Sequence, residues 1–294
     1  MRIVLIKIKK LFIFWSVTIV SFLIILICTA KLVGIFAHQS DEEVLYLPVI
    51  MYHSILINPK KNIYIISKDL FRQDLEYLKE NGYTTILVKN LIRYTENKED
   101  LPEKIILLSF DDGAFNNFKY AFPLVQQYGM SAVVAPIGHL ASMYTDAVKK
   151  IEEKENVEYS HASWPHLKEM ADSGLVEIQN HTYKMHEIGD RLGCKKKKNE
   201  SLEEYEKKFV SDISKAQNII SEKIGVTPTA FFYPFGACSK CSVNILKKMG
   251  FKATFLCESK INKIKRDPES LFGLYRFLRD PEIPSSKFFK NILK

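Results

Sequence analysis

The sequence contains few of the residues that mark specialised classes of protein. Cysteine occurs five times in 294 residues, which is too sparse for disulfides to organise the fold as they do in small secreted domains. The 12 glycines, 11 prolines and 12% aromatic residues also exclude a collagen-like, low-complexity or disordered chain. What remains is a globular chain that is long enough for one large α/β domain with a full core.

Cys238 and Cys241 form a single CxxC motif. Its functional interpretations are a disulfide or half of a metal site, but the sequence has no second CxxC that would complete a zinc site. Two small residues at the start of a helix are the structural alternative. The sequence leaves the role of this pair open.

Acidic residues are absent from positions 1–37, which hold five of the 42 basic residues. All 34 acidic residues lie further on, so the rest of the chain has only three more basic than acidic residues, although the whole chain has a net charge of +8. This near balance does not indicate a nucleic-acid partner, and we expect none.

Residues 11–30 form an uncharged run, about the length that crosses a bilayer core of roughly 30 Å. Lys7, Lys9 and Lys10 precede it, and positive flanks of this kind favour the cytoplasmic side. The run therefore predicts a single-pass anchor in the cell membrane with the following domain on the extracellular side. A secreted protein released by signal cleavage is the alternative, but the apolar region of a signal peptide is usually about 7–15 residues long.

These features divide the chain into four predicted parts. They are a cytoplasmic basic tail (1–10), a transmembrane signal-anchor (11–36), a linker (37–46) and a folded domain (47–294).

Short apolar runs alternate with helical patterns along the predicted domain. The predicted strands are 47–52, 84–88, 105–110, 131–137, 176–180, 229–233, 252–256 and 274–278. The clearest predicted helices are 69–82, 118–128, 164–173 and 201–224. Seven or eight strands separated by helices predict an α/β fold with a parallel sheet that is closed, or nearly closed, into a barrel.

Unusual polar residues gather where the predicted strands end. They are His53, Asp111, Asp112, His181, His186 and, within the last strand, Arg276. In α/β barrels the active site lies on the face formed by the carboxyl ends of the strands. We therefore expect these side chains, which come from separate segments, to converge on one site.

The residue types in this set suit a metal-dependent hydrolase. Two imidazoles and one carboxylate form a three-ligand set that leaves a position open for water, as a catalytic zinc site requires. A second, adjacent carboxylate would act as base on that water, whose pKa a metal lowers to around 7. His181 and His186 are five positions apart, so a turn must bring them together. Zn²⁺ suits these ligands best, and Co²⁺ and Ni²⁺ bind comparable sites.

Each residue taken singly has a simpler structural interpretation. An Asp-Asp-Gly string is often a turn with a capping aspartate, and a single histidine such as His53 is more often a satisfied core residue. Arg276 alone would be a structural ion pair. Trp164 is a candidate for stacking on a sugar, with a packing anchor at a helix start as the alternative.

Three strings in the chain carry a family resemblance: LSFDDG at 108–113, NHTYKMH at 180–186 and FYPFG at 232–236. Together and in this order they resemble the polysaccharide deacetylases of the NodB-homology type, carbohydrate esterase family 4. The resemblance spans roughly residues 45–280. It implies a distorted (β/α) barrel that uses a metal ion to remove acetyl groups from a sugar polymer.

The resemblance also implies roles by position. Asp111 matches the general base, and the metal ligands are matched by Asp112, His181 and His186. Pro234 and Phe235 match a motif in the wall of the substrate groove, in which the backbone N–H at the position of Phe235 helps to hold the oxyanion.

The sequence departs from the commoner family pattern in three ways. Phe232 stands where many members have an arginine, no histidine follows His186, and the metal histidines are one residue further apart. All three traits resemble the branch that acts on poly-N-acetylglucosamine of biofilms. In that branch a histidine within a Tyr-His string is the general acid, which corresponds to His53 here. Arg276 would then orient Asp111 in place of the missing arginine.

The sequence thus predicts a metal-dependent enzyme that removes N-acetyl groups from a cell-surface polysaccharide of the poly-N-acetylglucosamine type. Its expected partners are this acetylated polysaccharide and, through the N-terminal helix, the membrane. Within the same class, the alternatives are a peptidoglycan N-acetylglucosamine deacetylase and an esterase for O-acetylated polysaccharide. A sugar-binding module with an inactive site is the alternative from another class.

Overall fold

The structure, a computed structural model, describes residue 15, residues 18–27, residue 29, residues 44–151 and residues 159–293, with only the backbone given for 147–151. The expected basic tail and much of the expected anchor and linker lie outside the described residues. Among the helices that are described, none is both long and apolar enough to cross a membrane. The chain divides into two compact units, Met1–Glu43 and Val44–Lys294.

Short strands and amphipathic helices alternate through the second unit. The strands are β1 Leu45–Leu47, β2 Val49–Tyr52, β3 Ser54–Leu56, β4 Ile65–Ser67, β5 Thr84–Thr85, β6 Ile105–Asp112, β7 Ala132–Pro136, β8 Val176–Ile178, β9 Ala230–Phe232, β10 Ala253–Phe255, β11 Asn262–Ile264, β12 Phe272–Leu274 and β13 Phe277–Leu278. The helices are α1 Lys68–Glu80, α2 Val88–Thr95, α3 Phe122–Tyr128, α4 Gly138–Ile151, α5 Trp164–Asp172, α6 Leu202–Ile224, α7 Lys240–Lys248 and α8 Ser285–Ile292.

Parallel pairing connects the principal strands. One sheet has the order β13-β2-β6-β7-β8, with β5 beside the start of β6, and a second has the order β12-β10-β9. All of these pairs are parallel. A parallel bridge between Asn180 and Phe231 joins the segment after β8 to β9. The predicted α/β class with a parallel sheet is therefore confirmed.

The predicted strand 274–278 is in fact two short strands in different pairings. β12 pairs with β10, and β13 pairs with β2. Between them the chain leaves both ladders, and the Arg276 N–H donates to the Glu258 carbonyl oxygen at 3.0 Å. The segment 272–278 therefore belongs to both sheets, with Arg276 at the junction.

The predicted strand 84–88 is wrong over its second half. The ladder with β6 covers Thr84–Thr85, and the chain enters helix α2 at Val88. The Asn90 side chain accepts a hydrogen bond from the Leu87 N–H at 3.0 Å. This cap satisfies one of the N–H groups that a helix leaves unpaired at its start, which favours a helix although the residues are apolar.

β6 lies at the centre of the first sheet and is buried on both faces. Its side chains at Ile106, Leu108 and Phe110 pack into one apolar cluster, and those at Ile105 and Leu107 pack into another. This alternation follows from the two-residue period of a strand, and burial on both faces is typical of parallel sheets. The polar residues at the end of β6 are thus held by a strand that is buried on both faces.

Helix α6 packs along the unit through an apolar face, as its sequence periodicity predicts. Phe209, Ile213 and Ile220 on this face are fully buried. The helix begins at a capping box, in which Ser201 Oγ accepts from the Glu204 N–H at 3.1 Å, and ends at Gly225, whose φ is 86°. These caps fix the position of a long helix that supports the loop after β8.

Candidate active site

Asp111 and Asp112 are the last two residues of β6, where successive side chains point to opposite sides. Asp112 has a φ of 67°, which is uncommon for a residue other than glycine. Gly113 follows with a φ of 70°, and a Cβ added there would lie 2.7 Å from Pro136 Cβ. Only glycine fits at this sharp turn, which therefore presents both carboxylates at the end of the sheet.

Asp112 lies beside two histidines in an arrangement that fits a metal ion. Its Oδ1 is 3.4 Å from His181 Nε2 and 3.2 Å from His186 Nε2. One ligand atom from each of the three residues lies within 4.8 Å of the others. Asp112 Oδ1 is buried and has no hydrogen-bond partner among the described residues. A cation would satisfy this oxygen, since buried polar atoms are otherwise nearly always bonded.

His181 is oriented by a bond on the far side of its ring. Its Nδ1 lies 2.8 Å from the Phe232 carbonyl oxygen, which can only accept a hydrogen bond. The proton is therefore on Nδ1, and the lone pair of the neutral ring is on Nε2, towards Asp112. Backbone carbonyls often orient metal-binding histidines in this way.

The turn that joins the two histidines is held by α6. Asp212 on this helix accepts from the backbone N–H of Tyr183 at 2.8 Å and of Lys184 at 2.9 Å. Asn180 accepts from the Thr182 N–H at 2.9 Å, and Thr182 is buried with a φ of 75°. These hydrogen bonds fix the turn from both sides. As a result, His181 and His186, which are five positions apart in the sequence, both lie beside the Asp112 carboxylate.

Asp111 forms an ion pair with Arg276, whose side chain is fully buried. Nη1 donates to Oδ1 at 2.6 Å, and Nη2 donates to Oδ2 at 2.8 Å. Arg276 Nε donates to the Leu256 carbonyl oxygen at 2.8 Å. Burial alone would raise the pKa of Asp111, but the neighbouring Arg276 guanidinium opposes it, and the pKa is lower than usual. Asp111 is therefore ionised at neutral pH.

His53 lies at the same site, directly after β2. It lines a cavity of about 200 Å³ together with Asp111 and Asp112. Burial lowers the pKa of His53, and the two carboxylates partly oppose that effect. Its ring packs on Tyr64 with centroids 4.8 Å apart, and its buried Nδ1 has no hydrogen-bond partner among the described residues.

Pro234 and Phe235 form a short turn next to the second histidine. The Phe235 ring lies 4.5 Å from the His186 ring, is 40% exposed, and belongs to a residue with a φ of 57°. Pro234 is buried, and a Cβ at Gly193 would come within 2.7 Å of its carbonyl oxygen. Of this pair, Phe235 therefore faces the solvent at the site, while Pro234 supports it from behind.

Trp164 does not lie at the site surface. It is only 3% exposed and belongs to the main apolar cluster, and its indole N–H donates to Ser142 Oγ at 3.1 Å. A ring covered in this way has no face free to stack on a sugar. The prediction that Trp164 binds substrate is therefore wrong, and the alternative of a packing anchor at the start of α5 fits.

Sequence reasoning missed several residues that shape the site. Asp212 and Asn180 hold the histidine turn, and His161 and Tyr159 line the cavity. In the sequence, Asp212 next to the apolar face of α6 gives little indication of a role at the site, since helix surfaces are generally charged. Tyr159 and His161 lie in an irregular segment where periodicity gives no information.

A sequence profile of the polysaccharide deacetylase family matches residues 98–254, which is more than half of the chain. Poly-beta-1,6-N-acetyl-D-glucosamine N-deacetylase of Escherichia coli strain K12 is 29% identical over 203 residues, which cover 64% of this chain. The match covers only 30% of that relative, so this chain corresponds to a part of it.

Two solved structures are similar in fold and sequence. A de-N-acetylase from Aggregatibacter actinomycetemcomitans has a TM-score of 0.72 and 28% identity, with 84% of this chain and 100% of that chain covered. IcaB from Ammonifex degensii has a TM-score of 0.65 and 26% identity, with 81% of this chain and 93% of that chain covered.

Proposed function

The chain belongs to the polysaccharide deacetylase family, and we propose that it is a metal-dependent enzyme that removes N-acetyl groups from a poly-β-1,6-N-acetylglucosamine-like polysaccharide. The observation that carries this proposal is the cluster of Asp112, His181 and His186 beside an ionised Asp111. The substrate class is supported by the similarity to the Escherichia coli poly-beta-1,6-N-acetyl-D-glucosamine N-deacetylase.

The three clustered residues suit a divalent cation. They offer one carboxylate and two imidazoles, a donor set that catalytic zinc sites use. The buried Asp112 Oδ1 and the fixed Nε2 of His181 support this role. Zn²⁺ is the cation we propose, and Co²⁺ or Ni²⁺ would fit the same donors. When bound, it would supply Lewis acidity towards a carbonyl oxygen and lower the pKa of a water molecule.

Asp111 acts as the general base in the proposed mechanism. It takes a proton from the water whose oxygen forms a bond to the acetyl carbon. Each carboxylate oxygen has a second lone pair besides the one that faces Arg276, so the ion pair leaves room for this proton. Arg276 fixes the carboxylate plane, which is a positioning role.

His53 acts as the general acid. Its proton passes to the sugar nitrogen as the bond between that nitrogen and the acetyl carbon breaks, which gives a free amine and acetate. The lowered pKa of His53 makes its protonated form a stronger acid than an exposed histidine. The backbone N–H of Phe235, a residue whose ring packs on His186, would donate to the oxyanion of the transition state, where one such donor is typically worth 10²–10³ in rate.

We further propose that the two parallel sheets together form a distorted (β/α) barrel. The bridge from Asn180 to Phe231 and the segment 272–278 connect the sheets at both ends, which supports this description. The anchor over 11–36 and an extracellular domain also remain proposals, supported by the uncharged run and its basic flank.

The test is acetate release by the full chain in detergent micelles. Oligomers of β-1,6-linked N-acetylglucosamine and peptidoglycan are the parallel substrates, each with Zn²⁺ or Co²⁺ and again after chelation. We expect release from the oligomers that chelation abolishes and that Asp111→Asn lacks. Preferential acetate release from peptidoglycan would make peptidoglycan the substrate in place of the β-1,6-linked polymer. Acetate release that chelation does not affect would overturn the metal mechanism. A protein that binds the oligomers but never releases acetate would be a sugar-binding module.

A further inference from the structure

A short segment, residues 159–162, forms one wall of the cavity beside the two aspartates. It runs antiparallel to residues 113–115, with a bridge between Ala114 and His161. The Phe115 N–H donates to the Ser160 carbonyl oxygen at 2.8 Å, and the Ala162 N–H donates to the Gly113 carbonyl oxygen at 2.8 Å. Because residues 113–115 directly follow Asp112, these backbone bonds fix His161 relative to the reaction site.

The His161 ring binds the protein through one nitrogen, and the residue lines the cavity. Its Nδ1 lies 3.1 Å from the Asp112 carbonyl oxygen, which can only accept, so Nδ1 is the donor. Nε2 is then the acceptor of the neutral ring. The side chain lines the cavity that also contains His53 and Asp111. The site therefore presents a hydrogen-bond acceptor that the proposed mechanism does not use.

His53 and His161 both lie near Asp112 and differ in their other charged neighbours. Those of His53 are Asp111, Arg276 and His181. That of His161 is His186. One imidazole is enough to protonate the leaving amine, and His53 is the one beside the general base. His161 is thus placed to contact another part of the substrate.

We propose that His161 is a substrate-binding residue, whose Nε2 accepts a hydrogen bond from a hydroxyl group of the acetylated sugar. This inference rests on the proposed function and refines it. A pyranose ring has hydroxyl donors next to its acetamido group, and the carboxylates of the site are committed to the cation and to the water proton. Tyr159, in the same wall, is 67% exposed and offers an aromatic face to the apolar side of a sugar ring.

Substitution of His161 by asparagine and by glutamine tests the roles of its two ring nitrogens separately. In His161→Asn the side-chain N–H can still donate to the Asp112 carbonyl oxygen, but nothing occupies the place of Nε2. In His161→Gln the longer side chain reaches that place and offers an amide oxygen. The full chain and both variants are compared on N-acetylated β-1,6-glucosamine oligomers, and their bound metal is measured.

We expect His161→Asn to raise KM for the oligomers about three- to tenfold, as the loss of one neutral hydrogen bond would. We expect a smaller change in kcat and a metal stoichiometry like that of the parent chain. His161→Gln should recover part of the KM. With 4-nitrophenyl acetate, which has no sugar hydroxyl, His161→Asn should lose less activity than it loses with the oligomers.

Other results would contradict the inference in distinguishable ways. An unchanged KM in an active His161→Asn variant would show that Nε2 contacts no substrate. Loss of bound metal, with equal losses on both substrates, would show that His161 only supports Asp112. A parent chain that hydrolyses 4-nitrophenyl acetate but not the oligomers would overturn the proposed polysaccharide substrate, and this inference with it.

Discussion

Arg276 donates to both carboxylate oxygens of Asp111 although the two residues are 165 positions apart in the sequence. The guanidinium has the planar fork that suits a carboxylate, so the pair fixes the plane of the carboxylate as well as its charge. The Phe232 ring packs against this pair, with its centroid 5.0 Å from the Arg276 guanidinium carbon.

Substitution of Arg276 should alter both stability and the pH profile. Arg276→Ala leaves a buried carboxylate without its partner, which typically costs about 3–5 kcal/mol in the free energy of unfolding. Arg276→Lys keeps a positive charge but loses the planar guanidinium that donates to both carboxylate oxygens. The pKa of Asp111 should therefore rise, and the acidic limb of the kcat/KM profile should move to higher pH. Arg93→Lys, in an exposed pair with Glu99, is the control. An unmoved acidic limb in Arg276→Lys would contradict a base held by Arg276.

Removal of a metal ligand should abolish stabilisation by metal. A cation present at 100 times its Kd stabilises a folded protein by about 2.7 kcal/mol. We expect Zn²⁺ to raise the urea midpoint of the parent chain and to have no such effect on His181→Ala. Equal stabilisation of the parent chain and of His181→Ala by Zn²⁺ would show that the metal binds at another site.

Asp212 should matter for metal affinity although it touches no proposed ligand side chain. Asp212→Ala frees the backbone N–H groups of Tyr183 and Lys184. Loss of an outer support of this kind typically weakens metal binding about 10–100-fold. Titration with Zn²⁺ measures the effect, and Asp190→Ala is the matched control, because the Asp190 side chain is 94% exposed. Equal affinities in the two variants would refute the support by α6.

His53 should be required for the chemical step and not for metal binding. General acid catalysis typically contributes about 10²–10⁴ in rate, so His53→Asn should lower kcat by that amount while the bound metal is unchanged. His139→Asn removes an imidazole that does not line the cavity and serves as the control. A variant that keeps its kcat would show that another group protonates the amine.

A buried ion pair away from the cavity should dominate the stability of the C-terminal region. Arg279 and Asp74 are both fully buried, with Nε and Oδ2 2.8 Å apart, and Tyr52 donates to Asp74 at 3.1 Å. Asp74→Ala should cost about 3–5 kcal/mol in the free energy of unfolding. Tyr52→Phe, which removes one hydrogen bond to the charged carboxylate, should cost less, about 1.5–3 kcal/mol. Urea denaturation checks both, and similar losses in the two variants would contradict this ranking.

The family and the parallel sheet were predictable from sequence because local patterns carry them. Strand ends, apolar periodicity on α6 and the strings around Asp111 and His181 needed no tertiary information. The family match confirms the resemblance drawn from those strings. The roles of the individual residues remain predictions.

The errors and omissions arise where tertiary structure overrides local pattern. The sequence around Trp164 fits both a ring that lines a substrate groove and a ring that packs in the core. Only its packing against Ser142 in the folded structure decides between these roles. The apolar run 84–88 fits a strand until the Asn90 cap favours a helix. His161 gains its position from backbone bonds to a segment almost 50 residues away, which a single sequence does not reveal.

The position of Arg276 in segment 272–278 has a consequence for the order of events during synthesis. Asp111 leaves the ribosome long before Arg276, and until the last part of the domain is made the carboxylate lacks the cation that keeps it charged when buried. The same short segment joins the two sheets. A nascent or prematurely terminated chain would thus contain every proposed metal ligand and still lack the cation that holds the proposed base. In the proposed mechanism, hydrolytic competence would be acquired only when the domain is complete.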